Sequence, residues 1–206
     1  MSKLVNDLIR DGYLKSDAII EAFECVNRIE FVPNELELQV NANVALPIGY
    51  GQTISQPLVV AFMLELLDPK RGQKVMDVGS GSGWTTALLA HIVGKQGKVI
   101  SLEVIEELLC IGKKNIDKFG FVKNSIVECY DTDGNKGFPA QAPYDCILVS
   151  ASAANEIPQA LKDQLAIGGK MVIPVRSSIV YLEKKSETEF YKEEFPGFTF
   201  VPLIFN

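Results

Sequence analysis

From Lys74 onward, short apolar runs alternate with stretches whose apolar positions recur at helical spacing. The runs are Val75–Val78, Val99–Leu102, Ser125–Tyr130, Asp145–Val149 and Lys170–Val175, with helical patterns reaching about Val93, reaching about Phe119, and starting near Glu156. Near-continuous apolar strands joined by helices predict a parallel sheet covered on both faces. Beyond Pro174 the pattern becomes alternating, over Ile179–Lys184, Glu189–Glu193 and Phe198–Ile204. That period predicts an antiparallel edge of two or three strands, with no room for another long helix.

The first seventy residues read differently. Ser16 precedes Asp17, Ala18, Ile19, Ile20, Ala22, Phe23 and Val26, a cap followed by helical spacing. Pro57 sits at an early position of a second helix carrying Leu58, Val59, Ala61, Phe62, Leu64, Leu66 and Leu67, which Asp68, Pro69 and Gly72 end. Between them Leu46–Gln56 is rich in Gly and Pro, has no sustained period, and is expected to be a loop with its own apolar anchors. This segment is expected beside the carboxyl edge of the sheet, where open α/β sheets bind ligands.

With 206 residues, 47% of them hydrophobic and 22% charged, the chain has the material for one domain with a large core. We divide it into a helical segment with its loop, residues 1–70, and an α/β core, residues 71–206. A net charge of −6 suits neither phosphate backbones nor anionic membranes, so no nucleic-acid and no membrane partner is expected. No apolar run approaches the roughly 18 residues of a membrane helix and the N-terminus has no apolar signal core, which points to the cytoplasm. Cys25, Cys110, Cys129 and Cys146 form no C-x-x-C pair and are expected to be buried thiols. The one histidine, His91, lies in an apolar helical pattern, so neither a histidine zinc cluster nor a Ser-His-Asp triad is expected, and no metal is assigned.

The sharpest chemical motif is Val75-Met76-Asp77-Val78-Gly79-Ser80-Gly81-Ser82-Gly83-Trp84, a strand entering a glycine turn and a helix. Glycines there let a backbone approach a ligand closely. A dinucleotide fingerprint would place its third glycine at Trp84, and a phosphate-binding loop would need Lys followed by Ser or Thr where Trp84-Thr85-Thr86 stands. What remains is G-x-G-x-G behind an acid, Asp77, with a second acid, Glu103, twenty residues beyond Gly83 at the end of the next strand, placed to accept ribose hydroxyls. Asp133-Gly134 follows the third strand; its composition fits either a ligand contact or a plain tight turn.

Together these residues resemble the S-adenosylmethionine site of class I methyltransferases, which implies a Rossmann-like fold and cofactor contacts from Asp77, Gly79, Ser80, Gly81, Ser82, Gly83, Glu103, Asp133 and Gly134. The stretch Leu46-Pro47-Ile48-Gly49-Tyr50-Gly51-Gln52-Thr53-Ile54-Ser55-Gln56-Pro57 further resembles the signature of protein-L-isoaspartate O-methyltransferases. Arg28-Ile29-Glu30-Phe31-Val32-Pro33, Val172-Ile173-Pro174 and Phe200-Val201-Pro202-Leu203 are similar to other segments of that family. The resemblance implies methyl transfer from S-adenosylmethionine to the carboxylate of isoaspartyl residues in damaged proteins or peptides, yielding S-adenosylhomocysteine. It assigns Ser55 as the catalytic residue, with a helix cap as its alternative role, and Gln52, Thr53 and Ile54 as the lid over the cofactor. A monomer is the expected state.

Departures from the family pattern gather on the substrate side: Asn41 and Asn43 replace a Tyr and an Asp, Thr132 replaces a Gly, and Val175–Ile179 shortens a glycine-containing turn around Arg176. Two other readings therefore stand beside isoaspartyl repair. One is a class I methyltransferase with another carboxylate or small-molecule acceptor, the other a non-catalytic S-adenosylmethionine-binding module.

Overall fold

The computed structural model describes residues 2–204. Its centre is a seven-stranded sheet in the order β5-β4-β3-β6-β7-β8-β9, formed by β3 (Lys74–Val78), β4 (Lys98–Glu103), β5 (Val127–Asp131), β6 (Tyr144–Val149), β7 (Leu165–Val175), β8 (Ser178–Lys184) and β9 (Phe190–Pro196). The ladders from β5 through β7 are parallel, and β8 and β9 add antiparallel. The chain moves outward from β3 to β5 and then returns to the other side of β3 as β6. This reversal opens a crevice at the carboxyl ends of β3 and β6, the usual ligand position in open α/β sheets.

Side chains alternate across the sheet as the pleat requires. Val75, Val99, Val127, Cys146 and Leu148 join a core with α3 (Pro57–Leu67), α4 (Trp84–Val93) and α5 (Glu106–Asp117), whereas Met76, Val78, Ile100, Leu102, Ile147 and Val149 point to the opposite core. The only α-helix described on that second face is the five-residue α6 (Gln159–Asp163). The helix expected from about Glu156 is shorter because Pro158 sits at its N-cap and disfavours helical backbone in the residue before it.

The N-terminal segment adds α1 (Lys3–Arg10), which the sequence pattern did not single out, and α2 (Asp17–Cys25). Ser16 precedes α2 as expected, but its hydroxyl does not cap the helix; it donates to Glu65 Oε2 at 2.7 Å while Oε1 accepts the Lys15 and Ser16 amides. One carboxylate on α3 thus fixes the entrance of α2.

Leu46–Gln56 is a β-hairpin with its exit, not a loop. Here β1 (Leu46–Gly49) pairs antiparallel with β2 (Gln52–Ile54), and Gly49, Tyr50 and Gly51 all turn through positive φ, at 90°, 54° and 72°. Strands this short hold no readable period. At the other end, Phe198–Ile204 is not a strand; it runs irregularly along the crevice, tied by Ser152 N–H to Val201 O and Leu203 N–H to Ser152 O. Of the four cysteines only Cys146 is buried, Cys129 is half-buried, and Cys25 and Cys110 are exposed.

Candidate active site

The glycine turn leaves β3 and enters α4. Four of its five amide hydrogens are spent within the protein: Gly79 and Ser80 donate to Leu102 O, Gly81 donates to Glu103 Oε2 at 2.8 Å, and Gly83 donates to Ser80 O. A phosphate-cradling loop needs such amides free to face its ligand. With four of its amides turned inward, this turn instead presents a closely approachable backbone.

Gly81 has φ +53°, and a Cβ there would lie 3.1 Å from Ile48 of the hairpin, so the turn and the hairpin close on each other. Between them lies the crevice, lined by Gln52, Thr53, Ile54 and Ser55 on one side and Gly79, Ser80, Gly81, Ser82, Glu103 and Gly134 on others. Ten of the thirteen residues assigned from the sequence therefore meet around one cleft.

The other three lie beneath it. Asp77 is fully buried and turned toward α4, where its Oδ2 accepts the Thr85 and Thr86 hydroxyls at 2.9 and 2.6 Å. Among the described residues its Oδ1 has no partner, and burial, helped by the charge of Glu103, raises its pKa to about 6 against the pull of the two hydroxyls. Gly83 has φ +93°, and a Cβ there would collide with Gly112 O and the Ile116 side chain at 2.8–2.9 Å; it permits α4 to pack on α5. Asp133 adopts the turn role, its Oδ1 accepting the Asn135 amide and side chain, with Lys136 3.4 Å from Oδ2.

Glu103 ends β4 and is 6% exposed. Besides Gly81, it accepts the Val104 and Ile105 amides on Oε1 at 2.9 and 3.0 Å. A carboxylate has about four acceptor positions. Three are filled, which aims the side chain rigidly and leaves one acceptor position, on Oε2, for a ligand in the cleft.

A second, outer cavity adjoins the first. Thr53, Ser55, Ser150 and Val201 line both, and Ala45, Gln56, Val59, Thr199 and Phe200 complete the outer one. Ser55 does not cap α3. Gln56 occupies the N-cap position, and the first turn is capped by Asn43, whose Oδ1 accepts the Leu58 amide at 2.9 Å. Ser55 is instead held through its carbonyl, which accepts from Arg28 Nη2 at 3.1 Å. The same guanidinium donates to Val40 O, Ala42 O and Val44 O and lies 5.4 Å from the Trp84 ring centre. Arg28 is 5% exposed, and burial lowers its pKa to about 10, so it remains charged at neutral pH.

The sequence profile described as protein-L-isoaspartate(D-aspartate) O-methyltransferase matches residues 1–206. The chain belongs to this family. A protein-L-isoaspartate O-methyltransferase of Methanopyrus kandleri is 44% identical over 206 residues, covering 98% of this chain and 90% of its own. That of Ignicoccus hospitalis is 40% identical, with 98% and 96% covered. A Plasmodium falciparum crystal structure assigned to the same activity, in complex with S-adenosyl-L-homocysteine, superposes with a TM-score of 0.87 at 27% identity, covering 98% of this chain and 97% of that one.

Within the family frame, the departing residues acquire structural roles. Asn43 caps α3 in place of an acid, and Arg176 takes φ +54° in the two-residue turn joining β7 to β8, its side chain 3.4 Å from Asn155 Oδ1. Lining residues not assigned from the sequence include Val104, Ile105, Ser150, Ala151 and Val201–Ile204. The similarity of Phe200-Val201-Pro202-Leu203 to the family's closing segment was the available pointer to the last group. Among the described residues no helix is long and apolar enough to cross a membrane.

Proposed function

We propose that this chain transfers a methyl group from S-adenosylmethionine to the side-chain carboxylate of isoaspartyl residues in damaged proteins or peptides, with Ser55 at the point of transfer. The observation that carries the reading is the shared wall. Thr53, Ser55, Ser150 and Val201 face both the crevice under the glycine turn and the outer cavity, so a donor in one and an acceptor in the other would meet there.

S-adenosylmethionine supplies, when bound, a methyl group already activated on a sulfonium. The acceptor carboxylate is ionised at pH 7, so no proton has to be removed from it. What the protein contributes is position and dryness. Glu103 offers its one open acceptor position to a ribose hydroxyl, and the hairpin residues Gln52–Ile54 cover the crevice. The fit is supported by the turn's four consumed amides, which favour a cationic sulfonium ligand over a phosphate. Ser55 lines both compartments, and its hydroxyl would orient the acceptor carboxylate by donating to it. The methyl ester formed can lose methanol where a carboxylate has no comparable leaving group, so attack by the neighbouring backbone nitrogen on the ester carbonyl expels methanol and closes a succinimide, and its hydrolysis returns part of the material to ordinary aspartate.

The test is transfer of labelled methyl to a short isoaspartyl peptide beside its aspartyl twin, with S-adenosylmethionine binding measured in parallel. Labelling of the isoaspartyl peptide alone is the expected result. Cofactor binding with transfer to neither peptide would reject the substrate and leave another acceptor, or no turnover, as the reading.

A further inference from the structure

The chain's one histidine does not stand alone on the surface. His91, in the last turn of α4, reaches toward α2, where Glu21 and Cys25 occupy positions one helical turn apart on the same face. His91 Nε2 is 3.5 Å from Glu21 Oε1, and one ligand atom each from Glu21, Cys25 and His91 lies within 4.8 Å of the others. We infer that this trio is a surface site for a divalent transition metal of the zinc type, remote from the cleft and joining α2 to α4.

Three arguments carry the assignment. The first is donor chemistry: thiolate, imidazole and carboxylate together suit zinc, whereas magnesium and calcium prefer all-oxygen shells. The second is distance. Zinc bonds of about 2.0–2.3 Å at tetrahedral angles set neighbouring donors about 3.3–3.6 Å apart. The Glu21–His91 pair already has that spacing, and rotation of the exposed Cys25 and Glu21 side chains closes the remainder. The third is a rigid frame. Behind the trio Phe23 meets Trp84 edge to face at 5.5 Å, and Trp84 Nε1 donates to Val26 O, so α2 and α4 are held in register without the metal. The fourth coordination position faces solvent and would take water. Binding displaces the thiol proton to solvent and sets a doubly charged cation against one thiolate and one carboxylate, neutralising the trio.

The consequence is mechanical. Helix α4 begins at Gly83, directly after the glycine turn, so a metal here would clamp the N-terminal segment onto the element that carries the cofactor loop.

The experiment uses the full chain, reduced, titrated with cobalt(II) alone and then with zinc(II) as competitor. One equivalent of cobalt with thiolate-to-metal charge-transfer absorption, displaced by zinc, is expected, together with a rise in Tm. Cys25→Ser should abolish the absorption, and His91→Gln and Glu21→Gln should each weaken affinity at least about tenfold, the lower bound for losing even an indirect metal-positioning group. Glu21 and Cys25 are exposed and His91 is half-buried, outside the buried core, so circular dichroism should show the fold intact. Absence of charge-transfer absorption in the parent chain, or its persistence in Cys25→Ser, or unchanged affinity in His91→Gln, would overturn the site and leave a Glu21–His91 ion pair in its place.

Discussion

Glu103 offers the most discriminating test of the cofactor site, because its carboxylate is asked to do two things at once. Oε2 accepts the Gly81 amide and Oε1 the Val104 and Ile105 amides, leaving one acceptor position toward the cleft. Replacing Glu103 with Gln is therefore not conservative here. An amide has only one oxygen, so in either orientation its NH2 group meets at least one backbone N–H head-on. A hydrogen bond to a charged group contributes about 1.5–3 kcal/mol net, and about 1.4 kcal/mol is tenfold in affinity. Loss of the single ligand-directed bond should therefore weaken S-adenosylmethionine by about 10- to 150-fold in Glu103→Ala, and Glu103→Gln should fall in the same range instead of near the parent. Glu103→Ala also orphans three backbone amides that only partly regain water. A concurrent loss of about 1–3 kcal/mol in stability is expected, the cost of leaving buried donors unpaired. Isothermal calorimetry with S-adenosylmethionine and urea denaturation of the free protein separate the two effects. Affinity within threefold of the parent in Glu103→Ala, with stability reduced, would show that the carboxylate only braces the turn and would refute the ligand assignment.

Three further outcomes follow from the same geometry. Ser55→Ala should leave S-adenosylmethionine affinity within about twofold while lowering isoaspartyl methylation by about 10- to 150-fold, the worth of one hydrogen bond to a charged acceptor; an equal loss of cofactor affinity would contradict the acceptor role. Arg28→Lys keeps a charge but cannot span the carbonyls of Val40, Ala42, Val44 and Ser55, so stability to urea should drop by about 1–3 kcal/mol and kcat should fall more than cofactor affinity. Asp77 predicts a pH dependence: its pKa rises from 3.8 to about 6 on folding, so between those values the folded state keeps a proton that the unfolded chain releases. Stability should fall by about 3 kcal/mol as pH rises through that window and level off above it, a slope that urea denaturation should find missing in Asp77→Asn.

The fate of the thirteen assigned residues shows what a sequence pattern can and cannot carry. The βαβ rhythm was legible because parallel strands buried on both faces carry mostly apolar residues, as β3, β4 and β6 do around Asp77, Ser101 and Glu103. The hairpin was not, since seven strand residues around a glycine turn leave no period to read, and neither was the irregular path of Val201–Ile204, which alternates as a strand would. Within the glycine motif, spacing established which residues are neighbours but not where each points. Asp77 lies between Met76 and Val78, both of which face the opposite core, and the pleat alone turns it toward α4 and away from the cleft. Gly83 is a glycine because α5 passes within contact of it, and Asp133 spends its carboxylate on its own turn. The motif thus mixes two kinds of constraint. On the proposed function, residues that face the cleft, such as Gly81 and Glu103, answer to the ligand, and those beneath it answer to the fold that aims them. Substitution separates the kinds: a change at Asp77 or Gly83 should register first in unfolding, with cofactor affinity following only as the turn is lost, whereas a change at Glu103 should register in affinity even where the chain remains folded.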